Sequence, residues 1–69
     1  MERQAVDSSN IRSIGYDPET WTLEVEFTTG AVYQYECEPE LAQAFLDAES
    51  KGKFFAQHIR PLRGTRVDV

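Results

Sequence analysis

Five cations crowd the end of this 69-residue chain, Lys51, Lys53, Arg60, Arg63 and Arg66, with His58 among them. Cations spaced in this way can contact RNA phosphates by displacing condensed counterions, without reading base identity. They can equally form a solvated surface that compensates an acidic body, at about 0–1 kcal/mol for each exposed pair. The division of charge is compatible with both readings. Residues 1–50 hold 2 basic and 11 acidic side chains, residues 51–69 hold 5 and 1, and the chain as a whole carries −5.

Two other constellations invite chemistry. Tyr33 and Tyr35 form a Tyr-x-Tyr that could stack bases on a sheet surface, or pack inward as core aromatics with their hydroxyls at the margin. Cys37 and His58 could make a thiolate–imidazole pair, but no third group that would orient them is recognisable, and a small apolar role for Cys37 is the simpler reading. One histidine and one cysteine are too few for a metal site without carboxylates at a recognisable spacing. A single cysteine also forbids an internal disulfide. A domain of this length buries only about 60% of its unfolded surface, which leaves little room for a deep substrate cavity. No catalytic residue, metal or cofactor is expected, and the chain is read as a non-enzymatic module.

The elements that must hold these residues are organised around Leu23–Tyr35. Two alternating runs meet at Thr28-Thr29-Gly30, where a three-residue loop with Gly30 left-handed avoids forcing a β-branched threonine to φ > 0. That loop pairs Val25 with Tyr33 and Leu23 with Tyr35, and places Leu23, Val25, Phe27, Tyr33 and Tyr35 on one sheet surface. Glu24, Glu26, Gln34, Glu36 and Val32 take the other. Ile11–Tyr16 reads as an earlier strand, with Ile14 and Tyr16 on the core surface, Arg12 sharing it near the margin, and Gly15 marking a weakness or bulge. Asp17-Pro18-Glu19-Thr20 has the chemistry of a type I turn, which sets Tyr16 near Trp21 and Ile14 near Leu23.

Pro39 opens a helix that runs to Ser50 with Leu41, Ala44, Phe45 and Ala48 at helical spacing, and Gly52 suits its left-handed end. A shorter helix over Lys53–Ile59 turns Phe55 and Ile59 inward until Pro61 stops it. Leu62–Val69 has no clear period and is read as extended or loose. The predicted architecture is an α+β domain over residues 1–69. A three-stranded antiparallel meander is packed on one face by a helix and followed by a short second helix and an extended C-terminal segment. Residues 1–5 are expected to be disordered, although Val6 could begin an edge strand. Trp21, Leu23, Val25, Phe27, Phe45 and Ile59 are expected among the less exposed side chains.

The combination of Ser8-Ser9-Asn10-Ile11, Gly15-Tyr16-Asp17, Leu23-x-Val25-x-Phe27, Gly30, Tyr33-x-Tyr35, Pro39, Ser50-Lys51-Gly52 and Phe55 to Ile59-Arg60 resembles the KTSC domain. That short domain occurs at the C-terminus of some lysyl-tRNA synthetases and as a small stand-alone bacterial protein. The resemblance covers roughly residues 6–66. Its company with a tRNA-charging enzyme implies RNA, tRNA-like or single-stranded, as a possible partner of Lys51, Lys53, His58, Arg60, Arg63 and Arg66, with Tyr33 and Tyr35 as structural motif residues. Family members commonly carry aromatics among the C-terminal arginines, where this chain has Leu62 and Thr65, so stacking groups are missing there. The alternative is a protein partner that meets the acidic sheet surface. The opening Met1-Glu2-Arg3-Gln4-Ala5 has no apolar run of the kind a signal peptide needs, so a cytoplasmic monomer without membrane contact is expected.

Overall fold

The computed structural model describes residues 3–67. Five strands, β1 (Arg3–Ala5), β2 (Ile11–Asp17), β3 (Thr22–Phe27), β4 (Val32–Glu36) and β5 (Thr65–Val67), form one antiparallel sheet in sequence order. Helices α1 (Pro39–Asp47) and α2 (Lys51–Phe54) lie between β4 and β5. A π-helical turn (Phe55–Ile59) and a 3₁₀ turn (Arg60–Leu62) continue α2 without a break. The fold is α+β as predicted, but the meander has two extra edge strands. Residues 3–5, expected to be disordered, pair with Ser13–Gly15; residues 1 and 2 lie outside the described part.

Gly15 explains why so polar an N-terminus can pair. It stands between Arg3 and Glu24 on the outer row of the sheet and, having no side chain, lets the Arg3 guanidinium reach the Glu24 carboxylate at 3.5 Å. The bulge lies elsewhere, between Ile11 and Ser13. The extra residue there turns Ile11 into the core and sends Arg12 to the outer face, where it pairs with Glu26 at 3.7 Å. Arg12 therefore does not share the surface of Ile14 and Tyr16.

The β3–β4 register matches the one derived from the turn. Val25 faces Tyr33 and Leu23 faces Tyr35. Gly30 has φ +95°, and Phe27 and Ala31 close the loop through a 2.9 Å backbone hydrogen bond. The β2–β3 connection departs from expectation by two residues: Tyr16 faces Leu23, and Ile14 faces Val25. Asp17 does form a turn by accepting the Glu19 N–H at 3.0 Å, but the loop takes in Trp21, which adopts φ 55°. That left-handed residue points its indole outward, 45% exposed, so Trp21 is not a core residue. A bulky side chain at positive φ is costly, about 1–2 kcal/mol.

The core is built where the inner sheet surface meets the helices: Ile11, Ile14, Leu23, Val25, Tyr35, Ala42, Phe45 and Ile59, with Cys37 beneath. Each fully buried large side chain contributes about 1.5–3 kcal/mol relative to exposure. Helix α1 begins at Pro39 as predicted but ends at Asp47, because Ala48 is extended and Ser50 is already the N-cap of α2, accepting the Lys53 N–H. Its buried face is Ala42 and Phe45, with Ala44 exposed. Gly52 therefore sits inside the second helix rather than ending the first. The second helical run continues past Pro61 to Leu62. Proline offers no N–H and would crowd a carbonyl one turn back, and the wider π turn, in which the Arg60 N–H reaches the Phe55 carbonyl, accommodates it. The run ends at Arg63, at φ 63°.

Candidate nucleic-acid interface

Arg66 is placed by β5. Its register partner is Tyr33, so the two side chains rise from the same face of the sheet, beside the helical cover. Arg60 enters from the 3₁₀ turn, close enough for its charge to act on the Tyr35 phenol. Burial pushes that phenol above its ordinary range, neighbouring Tyr33 adds to the rise, and Arg60 opposes it. Arg63 joins the two at the end of the helical run. Gly64 then crosses the Tyr35 ring so closely that a Cβ there would lie 2.4 Å from the ring's Cε2. Arg66 and Arg60 thus lie beside the two β4 tyrosines, with Arg63 between them in the chain.

The tyrosines are core residues at the edge. Tyr35 is buried; Tyr33 is half-buried and packs edge-on against Phe27 at 5.9 Å and stacks with Tyr35 at 6.5 Å. Phe55 completes the cluster, 5.2 Å from Phe27 and 5.8 Å from Tyr35. The rings stiffen the base under the arginines and leave no open platform at Tyr35.

The lysines at the start of α2 lie apart from this group. Helices of this pitch put Lys51 about 15–20 Å along the run from Leu62. The start of α2 instead lies beside Ser8 and Asn10, which are 3.8 and 3.9 Å from where a Gly52 Cβ would be. Lys51 is half-buried and its ammonium donates to the Ala48 carbonyl, whereas Lys53 is exposed. His58 is exposed with its ring 4.6 Å from that of Phe54. Among the described residues Lys51, Lys53, His58, Arg60, Arg63 and Arg66 make no ion pair; the ion pairs present are Arg3–Glu24 and Arg12–Glu26.

Cys37 is buried against the core, and its thiol donates to the Glu38 carbonyl at 3.5 Å. Burial, and then the negative charge of Glu38, raise its pKa, which keeps it a thiol at neutral pH and a poor nucleophile. His58 has its own partner in Phe54. No group of three or more His, Cys, Asp or Glu side chains among the described residues could hold a metal. No helix there is long and apolar enough to cross a membrane.

Two carboxylates of the acidic sheet surface are occupied by contacts within the sheet. Glu24 takes Arg3 and the Gln34 amide, the latter at 2.9 Å; Glu26 takes Arg12 and the Ser13 hydroxyl, also at 2.9 Å. The sequence marks Leu62–Val69 only as extended or loose, so the position of Arg66 on a paired strand emerges from the structure alone. The short β-branched frame around the arginine was the available signal.

A small antiparallel sheet with one helical cover defines a compact α+β domain. Residues 7–62 match the family model of the KTSC domain, and the chain belongs to that family. It is 39% identical to a KTSC domain protein from Yersinia pestis whose crystal structure superposes with a TM-score of 0.87, covering 99% of this chain and 96% of that one. An uncharacterised protein of Stutzerimonas stutzeri is 53% identical over 99% of this chain and 100% of its own length. A lysine–tRNA ligase of a Nostoc species is 38% identical over 78% of this chain, which amounts to 10% of that enzyme.

Proposed function

We propose that the domain is a non-enzymatic module that contacts RNA phosphates through Arg60, Arg63 and Arg66, with Lys51, Lys53 and His58 outside the main contact. The observation that carries the proposal is the contrast in how charges are used: Glu24 and Glu26 at the centre of the sheet are matched internally, while Arg60, Arg63 and Arg66 meet no carboxylate among the described residues. Such groups lose little conformational freedom on meeting a phosphate, and guanidinium forks suit phosphate oxygens. The occurrence of a related segment within a lysine–tRNA ligase agrees with a structured RNA as the partner. The same matching of Glu24 and Glu26 argues against the sheet surface as the site of a basic protein.

The test is a titration with single-stranded and tRNA-like RNA at several salt concentrations. Binding should be weak, indifferent to sequence, and steeply weakened by salt. Three contacts to a single strand give a slope of log K against log[salt] of about −2, and five give about −3.5. Arg60→Ala with Arg63→Ala should flatten the slope and Lys51→Ala should leave it unchanged. No binding at low salt would remove the reading.

A further inference from the structure

Among the described residues two that are not glycine have positive φ, Trp21 and Arg63. Trp21 is covered over about half of its surface, so packing of a large residue offsets the strain. Arg63 has no such compensation. It stands at φ 63° and ψ 92°, is exposed, and meets no carboxylate among the described residues. The chain must turn there, from Leu62 packed against the core to Gly64 against the Tyr35 ring, but nothing in the turn requires arginine. Glycine or asparagine would adopt it with less strain. A glycine does follow, at position 64, where φ is not positive and the Tyr35 ring is what excludes a side chain. The small residue serves the crowded position, and an arginine occupies the left-handed one.

Strain that persists at an exposed residue, fixed by what lies on either side of it, is a mark of function. We infer, on the basis of the RNA reading, that Arg63 is the principal phosphate contact of the interface and that its left-handed backbone is retained for that contact. Leu62 is seated on the core and Gly64 on Tyr35, so the backbone that carries the Arg63 guanidinium is held before RNA arrives and little ordering is required on binding. Arg60 precedes it on the 3₁₀ turn and Arg66 follows on β5, which leaves Arg63 in the middle of the basic segment. Neither neighbour carries the same strain. Arg60 has ordinary helical dihedrals, φ −52° and ψ −40°, and Arg66 belongs to a paired strand.

Arg63→Asn removes the guanidinium and relieves the strain together, because asparagine tolerates the left-handed region. Arg60→Ala removes a guanidinium from unstrained backbone and is the control; alanine at position 63 would keep the strain. The 69-residue chain and both variants are unfolded in urea, and their affinity for a labelled single-stranded RNA is measured at low salt by fluorescence anisotropy. Arg63→Asn should unfold at a higher urea midpoint than the wild type and bind RNA about tenfold more weakly, the loss expected of one charge-assisted contact, with a smaller loss for Arg60→Ala. A midpoint for Arg63→Asn that fails to rise would show that the position bears no strain that asparagine relieves. RNA affinity of Arg63→Asn equal to that of the wild type, or a greater loss from Arg60→Ala, would overturn the primacy of Arg63 while leaving the RNA interface in place. If the wild type itself binds no RNA, the interface and the role of Arg63 fall together.

Discussion

On the outer face of the sheet Glu24 is met by Arg3 and Gln34, and Glu26 by Arg12 and Ser13; along the β4 margin Arg60, Arg63 and Arg66 are met by no carboxylate among the described residues. Both surfaces are charged and both sit on well-formed backbone. The difference lies in where the counter-charge comes from. The outer face takes it from its own strands, because the bulge at Arg12 and the bare Gly15 bring guanidinium groups over a carboxylate row. At the margin the neighbouring side chains are aromatic, and aromatic rings stiffen a cation's surroundings without neutralising it. A matched surface has little field left for a partner, whereas an unmatched one keeps it.

The largest effect that would break this comparison concerns how the arginine-bearing segment is anchored. Gly64→Ala puts a Cβ where the Tyr35 ring already stands, at 2.4 and 2.6 Å from two of its carbons. The ring is confined by Phe55 and Tyr33 and has little room to swing. The loss should be about 1–3 kcal/mol, as for other overpacked sites, read from urea unfolding. Tyr35→Leu added to Gly64→Ala should recover part of it. An unchanged midpoint would mean that β5 is not seated as described and that Arg63 and Arg66 are not held in place.

Gly30→Val comes next, because the turn it serves decides which face each β4 side chain takes. Nothing lies within 4 Å of a Cβ at Gly30, so the penalty is conformational alone. Forcing a β-branched residue to φ near +95° should cost about 1–2 kcal/mol. If stability is unaffected, another loop serves equally well, and the pairing of Gln34 with Glu24 need not persist. Ser13→Ala should cost less, about 1 kcal/mol, by removing the hydroxyl that donates to Glu26 while Arg12 remains as a partner.

Gly30 also marks how much of the molecule can be read from its sequence. Gly30 was legible because a three-residue turn has few solutions and each fixes the register of two alternating strands. Phe45 and Ile59 were legible as core because apolar spacing survives small errors in helix limits. Trp21 was not, since its exposure depends on the length of the loop after Asp17, and the same dipeptide chemistry fits a two-residue turn. Pro61 reads as a stop because proline usually is one. A π turn absorbs the missing donor here, and nothing in Phe55–Ile59 announces it. Among the site residues, the cationic character of the C-terminal end was plain, but its division into an arginine group and a distant lysine pair follows from the helix between them. The edge strands are legible only in part, as an extended C-terminal segment and a strand that could begin at Val6: three residues give no periodicity, and Arg3 and Arg66 are held by what lies across the sheet.

The smallest effect is the most discriminating. If Arg60 and Arg63 have no structural counter-charge, replacing both with alanine should change the unfolding free energy by no more than about 0.5 kcal/mol, as for surface positions with no special contact. The substitution takes the net charge from −5 to −7, and the added self-repulsion should appear, if at all, as a slight loss that salt removes. Arg12→Ala is the matched control. It removes one guanidinium from an exposed pair and its hydrogen bond to the Thr28 carbonyl, and should cost up to about 1 kcal/mol. Paired urea titrations at low and high salt separate the two. Should the Arg60, Arg63 variant lose more than the Arg12 variant, the margin arginines would be structural and the contrast between the two surfaces would fail. Should it lose nothing while RNA affinity falls, the same guanidinium groups would be dispensable for the fold and required for the contact.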